Sequence, residues 1–285
     1  MQDMNIYTPA AVDKIKSLLK KNTSRILAGG TDILLKRDEL INEDIDLIDL
    51  SRVEELKFIK KEQGVIKLGA MTTFSQIAND KLINKYIPAL AQAACQLGSV
   101  QIRNRATIGG NVAHASPAAD SVPVLMAHST RVKIMKSDGS TKILDLIEAI
   151  REIDNNTLLI SLILPQWDPA KNFSYYNKIG TRKSVTIARI NLAAVINYDP
   201  EEERIKEARI VLGALGKEPF RARDAEKVIT GCILNSEIEK EFLDILTETV
   251  DRAIPGRYSQ PYKRNAIRGL GDDFITAFKG GLNDE

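Results

Sequence analysis

The order of elements legible in the sequence predicts an α+β chain, an α/β region followed by a smaller sheet-plus-helices region. Three observations carry that prediction. Up to about residue 165, short strand-like runs alternate with stretches of helical spacing. From Pro165 to Asn172, "PQWDPAKN" has two prolines, an Asp-Pro step and no periodicity, the marks of a boundary. Beyond it, "FSYYNKI", "IARINLAAVINY" and "RIKEARIVLGAL" succeed one another as strand-like segments, a meander with no helix between.

Each element has its own signal. In "AAVDKIKSLLKKN", Val12, Ile15, Leu18 and Leu19 are spaced for one face of a helix that ends at Asn22. "SRILA" reads as a buried strand. "DIDLIDLS" and "GVIKLGA" give two more. "SQIANDKLINKYIPALAQAACQL" is helical and interrupted near Pro88, because proline removes a hydrogen bond of the helix ladder. "ADSVPVLMAH" is a further helix with Asp120 or Ser121 near its start. "TRVKIM" and "TLLISLILP" are strands, the first followed by the hairpin-like "KSDGS". From about Arg223 the spacing is helical in "DAEKVITG", "SEIEKEFLDILTETVDRAI" and "YKRNAIRGLGDDFITAF".

Composition narrows the function. The 285 residues allow a sizeable core and about two domains, and 44% apolar with 27% charged residues is the balance of a globular chain. A net charge of +2 gives no global field for nucleic acid or a charged membrane. No apolar run reaches the roughly 18 residues of a spanning helix, and the N-terminus lacks a secretion pattern, so the expected location is cytoplasmic. Cys95 and Cys232 stand far apart without a CxxC companion, which argues against an iron–sulfur cluster, a zinc knuckle or a disulfide scaffold. Cys95 is expected as a small buried hydrophobe. His114 and His128 are too few for a metal site without several carboxylates. The chemistry therefore calls for an organic cofactor or a partner.

Two glycine pairs stand out, in "RILAGGTDILL" and "ATIGGNVAHASPAAD". Glycine tolerates positive φ and lets another group approach its backbone. A pair between a strand and a helix can expose several amide N–H groups, a concave donor site for a phosphate oxygen, to which Thr31 or Thr107 can add a hydroxyl. The carboxylate of Asp32 would repel a phosphate, so it is expected to turn back onto backbone amides. One pair alone fits a tight turn equally well; two point to a diphosphate. Neither matches G-x-G-x-x-G or G-x-x-x-x-G-K-[ST], which removes the Rossmann and P-loop readings.

"LAGGTDILLKRD" with "TIGGNVAHASPAAD" resembles the paired signature of the FAD-binding subunit of the molybdenum hydroxylases. "GSVQIRNRATIGGN", "LLISLILP", "YNKIGTRKSVTIARI" and "PYKRNAIRGL" match in family order, so the resemblance covers almost the whole chain. It implies a two-subdomain vanillyl-alcohol-oxidase-type FAD-binding domain over residues 1–168, subdivided near residue 55. A C-terminal domain over residues 169–285 would follow, a three-stranded antiparallel sheet with a helical bundle. At matching positions it implies that Ile26, Leu27, Ala28, Gly29, Gly30, Thr31, Asp32 and Ile33 hold the diphosphate and adenosine side. Thr107, Ile108, Gly109, Gly110 and Asn111 would form the second wall of the cradle. Asp120 would accept from a cofactor hydroxyl, Leu97 and Leu159 would touch the rings, and Lys178 would be a donor near the cofactor. His114 and Ser116 fall within the same signature, and Tyr175 or Tyr176 could shield the flavin ring. The family often has an acidic residue where this chain has Thr186, so a carboxylate role is not carried over there.

The resemblance also implies partners: a large molybdopterin-binding subunit and a small subunit with two [2Fe–2S] clusters, as a dimer of heterotrimers. Electrons would run from substrate through the clusters to FAD in this chain and on to an external acceptor such as NAD. No catalytic acid–base pair and no metal ligand is named for the chain itself. A stand-alone flavin oxidase of a small alcohol, with His114 as the one visible candidate for a flavin tether, and a flavin-free assembly subunit are the alternative readings.

Overall fold

The computed structural model describes residues 5–21, 23–182 and 185–283. Asn22, the expected end of the first helix, and Lys183 and Ser184 of the "YNKIGTRKSVTIARI" match lie outside the described residues. The chain forms two compact units that do not follow chain order. One comprises Met1–Ile77, Ser99–His114 and Ser129–Pro165; the other comprises Ala78–Gly98, Ala115–His128 and Gln166–Glu285.

In the first unit, β1 (Ile6–Tyr7), β2 (Ser24–Leu27) and β3 (Asp46–Asp49) make a parallel sheet in the order β1-β3-β2. The helix Val12–Leu19 connects β1 to β2 and buries Ile15 and Leu19 with Ile48, Leu50 and Leu56. A second sheet follows from β4 (Ile59–Glu62), β5 (Val65–Gly69), β6 (Arg131–Lys136), β7 (Thr141–Asp145) and β8 (Thr157–Pro165). It is antiparallel, in the order β4-β5-β8-β6-β7. The apolar run "TLLISLIL" forms its central strand, because a strand paired on both sides and covered on both faces needs no polar alternation.

The second unit is built on β9 (Asn172–Gly180), β10 (Ala188–Asp199) and β11 (Arg204–Gly213), an antiparallel meander with the two-residue β12 (Phe220–Arg221) on its edge. Tyr175 and Tyr176 point to opposite faces, as adjacent strand residues must, and both are buried. Tyr175 lies in the core shared with the helices Ser236–Ala253 and Gln260–Asn283, its ring 5.8 Å from that of Phe274. Tyr176 turns to the other face, where Pro88–Gln96 and Ser121–Ala127 pack. Asn235 starts Ser236–Ala253 by accepting from the amides of Glu237 and Ile238 at 3.0 Å.

The long helical stretch before residue 97 is three helices, Phe74–Asn79, Lys81–Tyr86 and Pro88–Gln96. Pro88 takes the first-turn position, where its missing N–H costs nothing. Asp80 makes the extra break by capping Leu82 and Ile83 at 2.8 and 3.0 Å. Cys95 corrects its expectation: it is exposed, on the outer side of Pro88–Gln96, while Ala91 and Ala94 face inward. Among the described residues, no helix is long and apolar enough to cross a membrane.

Candidate functional site

The first glycine pair lies where β2 ends and the chain turns toward the 3-10 helix Ile33–Lys36. Gly30 has φ +75°, a left-handed conformation that costs other residues about 1–2 kcal/mol. Gly29 has a different reason to be glycine. A Cβ there would fall deep inside van der Waals contact of the Arg105 carbonyl, the backbone leading into the second pair. The two bends therefore pack backbone against backbone. The backbone N–H groups of Gly29, Gly30, Thr31 and Asp32 donate to no other group among the described residues. Four consecutive amides without an acceptor among the described residues leave donors of the kind that a concave anion site uses.

The second pair departs from its expectation. Ile108–His114 is a short helix that holds both glycines, and its amides are committed. Ile108 donates to Thr72, Gly109 to Ala70 and Asn111 to the Thr107 carbonyl, at 3.0, 2.9 and 3.0 Å. Gly110 donates to the Thr107 hydroxyl at 3.1 Å. This segment is a wall, not a second set of donors. Gly109 is required because a Cβ would stand 2.6 Å from that of Ala70. Gly110 has Ala28 as its neighbour, 3.5 Å from an added Cβ, so the second segment reaches the first at this point too.

Asp32 also departs from expectation. Its side chain caps no amide; Oδ2 lies 3.2 Å from His114 Nε2, with both side chains about half exposed. The carboxylate's close neighbour is thus a histidine rather than the backbone amides of its own turn. Ile26, Ala28, Thr31 and Ile33 are half-buried around this turn and Leu27 is buried beneath it. Leu159, expected at the rings, is only 5% exposed within β8 and has little surface to offer a ligand.

The other expected residues belong to the second unit. Asp120 begins Ser121–Ala127 but caps nothing. Its Oδ1 accepts from the Tyr176 hydroxyl and its Oδ2 from Lys178 Nζ, both at 2.6 Å. Lys178 Nζ also donates to the carbonyls of Gln96 at 3.0 Å and Thr186 at 3.1 Å, so all three of its protons are spent. Its side chain is 5% exposed and that of Asp120 is 8% exposed, a buried ion pair. Burial raises the Asp120 carboxyl above its ordinary range, opposed by the charge of Lys178 and by the bonds from Lys178 and Tyr176. Burial, then the Asp120 charge, pushes the Tyr176 hydroxyl far up, so it remains a donor. Thr186 serves Lys178 through its carbonyl, and its hydroxyl accepts from the Thr181 amide at 3.1 Å. Leu97 is half-buried at the end of Pro88–Gln96, and Ser116 accepts from the Ala119 amide through its carbonyl at 3.0 Å. Sequence reasoning missed Tyr176 as a partner of Asp120, since its residue type and its alternation in "FSYYNKI" signal only burial.

Comparison with known proteins accords with this geometry. Residues 2–167 match the family model described as the FAD binding domain in molybdopterin dehydrogenase. Residues 175–278 match the CO dehydrogenase flavoprotein C-terminal domain. The nicotinate dehydrogenase FAD-subunit of Eubacterium barkeri is 29% identical, with 100% of each chain covered. The glyceraldehyde dehydrogenase medium chain of Sulfolobus acidocaldarius is 26% identical over 94% of each. The fold is shared with a chain of quinoline 2-oxidoreductase from Pseudomonas putida 86, with a TM-score of 0.87, 20% identity and 98% of each chain covered.

Proposed function

The chain belongs to the family of FAD-binding medium subunits of the molybdenum hydroxylases, and from that premise we propose how its own residues hold the cofactor and where the electrons go. It is an oxidoreductase subunit whose cofactor is FAD. The observation that carries the reading is the run of four amides without acceptors among the described residues, Gly29 to Asp32. It fits a diphosphate: the donors are bare main-chain nitrogens, and Gly30 supplies the left-handed backbone that bends them together. The Thr31 hydroxyl adds a donor. Gly109 and Gly110 keep the neighbouring helix close enough to support the turn. His114 holds the Asp32 carboxylate aside so that it does not compete for the amides.

Asp120 is proposed to accept from a cofactor hydroxyl, using lone pairs left after Tyr176 and Lys178. Lys178, with no proton left to give, is then a positioning residue that keeps this carboxylate ionised and oriented rather than a direct donor. When bound, FAD accepts an electron pair and passes it on singly or in pairs. The residues of this chain bind and orient it; none is placed as an acid or base in the transfer. The electron source would be a large molybdopterin-binding subunit through a small [2Fe–2S] subunit, in a cytoplasmic dimer of heterotrimers, with NAD as the external acceptor.

The test is the pigment of the purified protein with its partners. FAD released by acid, about one per chain, together with reoxidation of the substrate-reduced enzyme by NAD, is the expected result. A colourless chain would refute the cofactor assignment. Reoxidation by artificial acceptors alone would refute NAD.

A further inference from the structure

A second site lies within the second unit, beside the boundary segment. A cavity of about 250 Å³ is lined by Lys85, Tyr86, His128, Trp167, Phe173 and Ser174. His128 is 1% exposed, and neither ring nitrogen has a hydrogen-bond partner among the described residues. Burial, then the charge of Arg209, lowers its pKa to about 3, so the ring is neutral and offers one N–H donor and one acceptor. Leaving either unmet in a buried place is costly. A group that enters the cavity and bonds this ring removes that cost.

The rest of the lining defines what such a group is. The Trp167 ring stands 5.5 Å from the imidazole, and Tyr86 and Phe173 add aromatic wall. Lys85 lies over the Tyr86 ring at 5.4 Å and has no carboxylate partner among the described residues. Ser174 accepts from the Ala89 amide at 3.2 Å, while its own proton has no acceptor among the described residues. Arg209, over the Trp167 ring at 5.3 Å, is already paired with Glu207 at 2.8 Å, so its charge is matched while, among the described residues, that of Lys85 is not. One unmatched cation, two neutral donors and three aromatic rings favour an anion carried on a flat apolar body, and the volume limits that body to a single ring with a short substituent.

We propose that this cavity binds a small aromatic monocarboxylate, its ring among Trp167, Tyr86 and Phe173 and its carboxylate served by Lys85, Ser174 and the unpartnered His128 ring. The site is independent of the flavin turn and uses none of its residues.

Trp167 is the one tryptophan in the chain and lines this cavity as well as the neighbouring one beside Arg209, so its emission reports binding and the Lys85 and His128 variants assign it to this cavity. Titration with benzoate is expected to change that emission saturably. Benzamide, the same shape without charge, is expected to bind about tenfold or more weakly, and acetate not to compete. Lys85→Met is expected to erase the preference for benzoate over benzamide, and His128→Phe, which keeps the flat ring without its nitrogens, to weaken benzoate by about tenfold. Lys85 is exposed, so its variant remains a test if His128→Phe fails to fold. No saturable change, as when water alone fills the cavity, would overturn the proposal. So would equal binding of benzoate and benzamide, or a Lys85→Met protein that still prefers benzoate.

Discussion

Replacing Lys178 with methionine asks whether Asp120 is a carboxylate held in place by a buried cation. Methionine keeps most of the length of the side chain and deletes its charge and three hydrogen bonds. The Asp120 carboxylate would then be buried with Tyr176 as its remaining donor. Removing one partner from a buried ion pair costs about 3–5 kcal/mol, a large share of the 5–15 kcal/mol of a typical fold. The sign of the pH dependence follows. Asp120 already has a raised carboxyl pKa, and loss of Lys178 raises it further, since the charge and hydrogen bond of Lys178 that oppose burial disappear and only the bond from Tyr176 remains. A folded-state pKa above the unfolded value means that protonation favours the fold. The deficit of Lys178→Met should therefore be greatest near pH 7 and shrink as pH falls toward the ordinary carboxyl range. Denaturant unfolding of wild type, Lys178→Met, Asp120→Asn and the double variant at two pH values measures this. The double variant should recover part of the loss, because the neutral amide needs no counter-charge. A deficit below about 1 kcal/mol, or one that does not change with pH, would refute the argument.

Three other outcomes follow from the same geometry. His128 has its folded-state pKa lowered to about 3 against 6.5 in the open chain, so stability is lost as pH falls from about 6.5 toward 3; the full effect is about 5 kcal/mol, and acid titration of unfolding in wild type and His128→Phe should show the variant with the flatter curve. Gly29→Ala should release flavin by wedging the first turn from the Arg105 backbone, whereas Gly30→Ala should keep the fold and lose about 1–2 kcal/mol of backbone energy at the turn, read as about tenfold weaker FAD binding. His114→Ala should alter thermal stability by less than about 1 kcal/mol, because its pair with Asp32 is half exposed, but should lower FAD affinity by freeing the carboxylate; an unchanged affinity would contradict the role given to His114.

Much of this fold is legible in the sequence because its signals are local. The run "TLLISLIL" has no polar alternation and becomes the central strand of its sheet. Pro88 starts a helix, as its fixed φ and missing N–H require. Both glycine pairs sit at tight backbone approaches. What the sequence hides is direction and partnership. Residue types could not show that the amides of Gly29 to Asp32 are uncommitted while those from Ile108 to Asn111 bond Thr72, Ala70 and Thr107, because those partners come from elsewhere in the chain or from the helix itself. Cys95 lies in an alanine-rich run that reads as buried throughout, yet one turn of helix puts it outside. Lys178 reads as a strand lysine with a free ammonium; only the pairing of β9 with β10 and the return of the chain at Gln96 surround it with oxygens. The helix Val100–Arg105 escapes periodicity because six residues are too few to show it.

The most direct measurement compares FAD with riboflavin binding to the purified, flavin-stripped protein by flavin fluorescence. If the amides of Gly29 to Asp32 grip the diphosphate, FAD should bind on the order of a hundredfold or more tightly, since each charge-assisted bond is worth about 1.5–3 kcal/mol, and Gly30→Ala should narrow the gap. Equal affinity for the two, or a gap that Gly30→Ala leaves unchanged, would contradict the assignment of that turn.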